Sequence, residues 1–202
     1  MPASHPTHRI SLLAACTALV LPWGALAAPQ VFTVTDTTGR PVKAAAVSAL
    51  VRGTPTEAPA GTQAQMGQRN KTFEPSVLVI QTGTQVSFPN FDTVRHHVYS
   101  FSPARPFEIK LYSGTPSLPV LFDKAGTATL GCNIHDRMLA YVHVVDTPYF
   151  GVSDAQGRVT LDLPAGDHVA RIWTPGMGEK SAGQEVRFTS GRGPIGVTVS
   201  TP

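Results

Sequence analysis

"GTATLGCNIHDRMLAYVHV", Gly126 to Val144, reads as two strands joined by a short polar loop. "TATLGC" and "AYVHVV" are apolar and rich in β-branched residues, with Asn, Asp and charged residues between them. Cys132, His135 and Met138 each follow the last by three positions. A thiolate, an imidazole and a thioether therefore share one tight loop after a strand. Soft sulfur ligands with imidazole suit copper. One Cys and two His in a trigonal set, with a long, weak axial Met, is the type 1 (blue) copper arrangement. The loop supplies three of those four ligands, so a second histidine must come from elsewhere.

Beyond residue 27 the histidines are His96, His97, His135, His143 and His168. His96 and His97 stand in "FPNFDTVRHHVYSF", after a turn and before a strand, where an imidazole can meet a loop from a neighbouring strand. One of these two is the expected fourth ligand. His143 lies mid-strand and reads as an ordinary sheet-face residue. His168 follows a Gly-Asp turn and reads as solvated.

The N-terminus carries a short basic region at His8-Arg9, an apolar run from Ile10 to Leu26 and the small-x-small site Ala25-Leu26-Ala27. Residues 1–27 read as a secretory signal peptide cleaved near Ala27, which implies export to the periplasm. A lipoprotein box ending at Cys16 is the rival, but the apolar run continues well past it. No later stretch is long and apolar enough to span a bilayer as a helix. Of the two cysteines, Cys16 goes with the leader, and Cys132 alone remains, unable to form an intramolecular disulfide. In an oxidising compartment such a thiol must be buried, metal-bound or nucleophilic. The net charge of +3 falls by one with Arg9, and no basic run argues for nucleic acid.

Short β-branched and aromatic runs separated by Gly and Pro, 18 of each, predict an all-β chain of sandwich type. Four segments are expected: the leader 1–27; an N-terminal β segment and Pro/Ala/Thr linker, 28–63; a compact β unit, 64–146; and a strand-rich unit, 147–202. "VTDTTGR" at 34–40 and "VSDAQGR" at 152–158 share a phrase. Either both are turns using the same Asp/Gly chemistry, or one sandwich is split by an insertion.

The stretch 126–144 resembles the copper loop of the plastocyanin/amicyanin branch of cupredoxins, with the short Cys-x2-His-x2-Met spacing of amicyanins. "FEPSVLVIQTGTQVSFPN", Phe73 to Asn90, is similar to that family's upstream strands. The resemblance implies a Greek-key β-sandwich over 64–146, with copper on His96, Cys132, His135 and Met138. It implies His135 as the surface electron port. His97 takes a place that asparagine usually holds. The flanking phrases resemble a transthyretin-like or carboxypeptidase-regulatory sandwich, a second β unit built from both flanks. The whole layout is similar to proteins labelled methylamine-utilisation proteins.

Asn133 and Asn90 are candidates for bracing the ligand loops. Asp136 and Arg137 beside His135 make its surroundings charged, with Leu139, Pro89, Pro103 and Pro106 as a candidate apolar rim. Structural zinc would want a second Cys or His pair at similar spacing. A Cys-His nucleophile would want oxyanion donors and a third orienting group. A plain core would leave the order His, Cys, His, Met to coincidence. The expected function is one-electron transfer between redox partner proteins, without an enzyme's substrate chemistry. The alternative is copper binding and delivery, or partner binding by the flanks.

Overall fold

The computed structural model describes residues 27–116, 118–135 and 137–200. All of the leader expected over 1–27 except Ala27 lies outside the described residues, Cys16 included.

Two sheets pair the first part of the chain with the last. In one, Ala28–Asp36 lies between Arg158–Leu163, antiparallel to it, and Ile195–Val199, parallel to it. The other runs Phe150–Val152, Ala46–Leu50, Asp167–Trp173, Gln184–Thr189, all antiparallel. Alternation sends Phe32, Val34, Val159 and Leu161 inward, where they meet Val47, Ala49, Ala170 and Ile172. The two flanking segments thus share one core.

The repeated phrase is one turn used twice. Asp36 Oδ1 accepts from the N–H of Thr38 (2.8 Å) and Arg40 (3.0 Å), and Asp154 Oδ1 from the N–H of Gln156 (2.8 Å) and Arg158 (2.9 Å). Gly39 and Gly157 take the positive φ that each turn needs, 81° and 73°. The copies also touch: the Val34 N–H donates to Gly157 O at 2.7 Å, and a Cβ on Gly157 would lie 2.3 Å from Val34 O. Shared turn chemistry and a split sandwich are therefore both present.

Between the flanks, a five-stranded sheet has the order Val77–Gln81, Leu139–Val145, Gly126–Gly131, His96–Ser100, Phe107–Tyr112. A three-stranded sheet, Val120–Phe122, Thr84–Ser87, Gln63–Gln65, and a hairpin, Gly67–Arg69 with Thr72–Glu74, accompany it. Met66, Phe73, Phe88, Phe122, Leu130 and Val142 are among the buried side chains of its separate core. The stretch 53–63, read as a linker, is tied to this body: the Ala58 N–H donates to Thr82 O (2.7 Å) and Gln81 Nε2 to Pro55 O (2.9 Å).

The two bodies meet through Ala46, Val77, Val79, Val145 and Trp173. Trp173 is fully buried, and His143 stacks on it at 4.9 Å and 12°. His143 is therefore a contact between bodies. Burial pushes its imidazole down to about 4, so it is neutral at pH 7. His168, expected to be solvated, is 8% exposed. It shares the inward face of its strand with Ala170 and Ile172, and packs on Phe188. Among the described residues, no helix is long and apolar enough to cross a membrane.

The neutral His143 sets a pH dependence. Its folded pKa lies below the unfolded value near 6.5, so the unfolded chain takes up the proton first and stability falls as pH drops from about 6.5 to 4. Over that window wild type should lose about 2–3 kcal/mol relative to His143→Gln in denaturant unfolding. Parallel losses in both proteins would show that His143 is not responsible.

Candidate metal centre

Two strand ends make the centre. Gly131 closes the Gly126–Gly131 strand and pairs with Tyr99 of His96–Ser100. Cys132 therefore emerges beside the start of the neighbouring strand. Alternation along that strand sends consecutive side chains to opposite faces. His96 is fully buried and points inward, its Nδ1 4.0 Å from Cys132 Sγ. His135 Nδ1 approaches the same sulfur at 3.8 Å. The donor atoms of His96, Cys132 and His135 all lie within 4.8 Å of one another, and among the described residues this is the one such group of His, Cys, Asp or Glu.

His97 faces the other way. Its Nε2 lies 3.0 Å from Glu108 Oε1, and its ring sits 5.4 Å from that of Tyr99. The two-residue period of a strand thus turns one of the adjacent histidines toward Cys132 and the other toward Glu108.

Met138 is 3% exposed and belongs to the same core as Phe88 and Leu130. Its N–H donates to His135 O at 3.0 Å, closing a turn that folds the loop back. Asp136, inside that turn, lies outside the described residues. Arg137 is exposed.

Asp92 holds His96 from behind. Its Oδ2 lies 2.7 Å from His96 Nε2, leaving Nδ1 free to face the sulfur. The carboxylate also accepts from the N–H of Asn70 (2.7 Å) and Lys71 (2.9 Å). Both residues have positive φ, 53° and 57°, as a tight hairpin turn requires. Burial alone would push the Asp92 carboxyl up. The Lys71 N–H, the His96 ring and the Asn70 N–H outweigh it and hold the carboxyl below its ordinary value. Carboxylate–histidine pairs of this kind fix the orientation of a ligand ring and raise its basicity.

Asn90 does brace the His96 loop. Its Nδ2 donates to Val94 O (2.9 Å) and Tyr112 O (3.1 Å), and its Oδ1 accepts the Asp92 N–H (2.9 Å). Burial pushes the Tyr112 hydroxyl up to about 12, and that hydroxyl donates to Phe88 O at 2.6 Å. Asn133 is exposed and makes no side-chain hydrogen bond among the described residues.

The expected apolar rim is different in composition. Leu139 is exposed, but Pro89 is buried, and Pro103 and Pro106 flank Ala104, which packs beside Gly126 at the far end of the cysteine strand. Phe91, Val94 and Ile134 are the exposed apolar residues on the ligand-bearing loops.

Sequence reading also missed why Gly131 precedes the cysteine. A Cβ there would lie 2.8 Å from the Tyr99 ring. The ring fills that space, so only glycine lets the two strands pair.

A cation fits this set. A triangle with two edges near 4 Å leaves its centre roughly 2–3 Å from each donor, close to metal–nitrogen and metal–sulfur bond lengths. The thiolate and imidazoles suit copper or zinc, and a buried thioether in the same loop favours copper.

No protein-family model and no curated protein matches the chain. Similar solved structures include amicyanin from Paracoccus versutus, 19% identical, covering 48% of this chain and 97% of its own, TM-score 0.35. Pseudoazurin from Hyphomicrobium denitrificans is 22% identical over 41% of this chain and 75% of its own, TM-score 0.36. The copper-containing nitrite reductase from Thermus scotoductus is 23% identical over 57% of this chain and 28% of its own, TM-score 0.39. These likenesses are distant.

Asp92→Ala removes the acceptor for His96 and for two hairpin N–H groups at once. Denaturant unfolding of the metal-free chain should register a loss of about 1–3 kcal/mol. Metal affinity measured against a competing chelator should fall by about 10–100-fold. Unchanged affinity would mean that Asp92 does not orient His96.

Proposed function

We propose that residues 64–146 form a cupredoxin-like copper domain that carries single electrons between redox partner proteins. The observation that carries this reading is the convergence of His96 Nδ1, Cys132 Sγ and His135 Nδ1 at the ends of two paired strands. In this reading those three atoms would hold the ion, and the buried Met138 thioether would add a weak fourth donor. Copper bound there supplies a one-electron couple between Cu(I) and Cu(II).

The chain's own residues keep the site from rearranging. The sheet fixes Cys132, Asp92 fixes the His96 ring, and the His135–Met138 turn fixes the loop. A site that changes little between oxidation states exchanges electrons with a small reorganisation penalty. His96, Cys132 and Met138 are nearly or fully buried, whereas His135 is partly exposed. His135 is therefore the proposed electron port, with Phe91, Val94 and Ile134 as the apolar part of the docking face. Burial of the other ligands favours retention of the ion over hand-off, so relay is preferred to delivery. The leader-like N-terminus supports a periplasmic setting, and the reading includes no substrate chemistry of the protein's own.

The visible spectrum after addition of Cu(II) tests this. An intense thiolate-to-copper band that bleaches reversibly on reduction is expected in wild type. The band should vanish in Cys132→Ser with the fold retained by circular dichroism. Copper should be lost in His96→Ala and kept in His97→Asn. A blue Cys132→Ser protein, or loss of copper only in the His97 variant, would overturn the ligand set.

A further inference from the structure

Trp173 is buried in the contact between the two bodies. Along the outward face of the flanking sandwich, Trp173 pairs with Ala46, Arg171 with Ser48 and Val169 with Leu50. Opposite them stand Val145 and His143 of Leu139–Val145. Beside this contact there is a cavity of about 200 Å³. It is lined by side chains from both bodies, among them Ser48, His143, Asp146 and Arg171, and by none of the proposed copper ligands.

Part of its polar lining lacks a hydrogen-bond partner among the described residues. Ser48 is 3% exposed and His143 is 8% exposed. Thr127 Oγ1 meets His143 Nδ1 at 2.9 Å, so Nε2 is the ring nitrogen left over. Neither that atom nor Ser48 Oγ has a hydrogen-bond partner among the described residues, and neither is a sealed, unsatisfied buried atom. Both residues line the cavity. Arg171 gives its Nε to the Glu185 carboxylate (2.9 Å), an ion pair that offsets part of its charge and leaves the two terminal nitrogens of its guanidinium without a partner among the described residues. Asp146 Oδ1 accepts from Thr82 Oγ1 (3.0 Å), and Oδ2 has no partner among the described residues.

The lining therefore offers one guanidinium, one carboxylate, a hydroxyl and a ring nitrogen. A bare anion would meet Asp146, and a bare cation would meet Arg171. A metal ion is disfavoured, since neither His143 nor Asp146 belongs to a group of donors close enough to chelate one. The volume equals roughly seven waters, enough for a small organic molecule. A molecule with a carboxylate at one end and an ammonium at the other meets both charges and uses the free donors.

We propose that this cavity binds a small zwitterion of the amino-acid type. Its carboxylate lies on Arg171 and Ser48 and its ammonium faces Asp146. The neutral His143 hydrogen-bonds the ligand without adding charge to the cavity. The stacked pair of His143 and Trp173 makes the tryptophan a reporter of occupancy. The site is independent of copper, so the metal-free chain tests it.

The experiment is calorimetric titration of the full chain at pH 7 with glycine, sodium acetate and methylammonium chloride at matched ionic strength, with tryptophan fluorescence in parallel. Saturable binding of glycine, at least about tenfold tighter than of either single-charge probe, is expected. Arg171→Gln and Asp146→Asn should each weaken it by about tenfold or more. Ser48→Ala, which keeps every charge, should weaken it by about threefold or more. No saturation below about 100 mM glycine, acetate binding as tightly as glycine, or unchanged glycine binding in Ser48→Ala and whichever charge variants fold would each overturn the proposal.

Discussion

The centre depends on one pairing, that of Gly131 with Tyr99. Because the two residues face each other, the strand ending at Cys132 and the strand beginning at His96 deliver their side chains to the same place. The pairing tolerates no side chain at 131, because the Tyr99 ring fills the space. Shifting it by one residue would send His96 to the outer face and bring His97 in. Every other contact of the site acts on a geometry already set by that register.

Around it, polar groups are used to hold ligands. Asp92 gathers one imidazole and two backbone donors from a hairpin distant in sequence. Asn90 fastens the same loop to Tyr112. A buried imidazole with a free lone pair facing a sulfur is unfavourable unless its other nitrogen is anchored. The anchor therefore belongs to the function as much as to the fold. The same rule holds at the junction of the two bodies, where Thr127 satisfies one nitrogen of His143, a residue that lines the cavity.

Much of this was legible in the residues. The spacing of Cys132, His135 and Met138 on a strand–loop–strand stretch marked the centre, and the turn phrases at 34–40 and 152–158 marked the paired flanks. Other features depend on tertiary placement. The choice between His96 and His97 needs the phase of a strand, which two adjacent histidines do not reveal. Asp92, four residues before His96, is an ordinary loop aspartate until the Asn70-Lys71 turn is brought against it. His168 follows a turn, which reads as solvent, yet strand phase aims it at Phe188. Phe107–Tyr112 escaped notice because Glu108 and Lys110 interrupt its apolar pattern, as suits an edge strand. Gln63–Gln65 is three residues long and has almost no pattern to read.

The shared core of the flanks also bears on how the molecule forms. Among the described strands, Ala28–Asp36 pairs with Arg158–Leu163 and Ile195–Val199. A chain emerging from its N-terminus thus carries this strand without either of its sheet partners until residues 158–199 have been made. Closing so long a loop is slow, whereas the body that carries the candidate site draws its five-stranded sheet from residues 77–145. The inserted body can therefore assemble first and bring the two flanks together as a preformed clasp, so that the metal pocket is built before the sandwich around it closes.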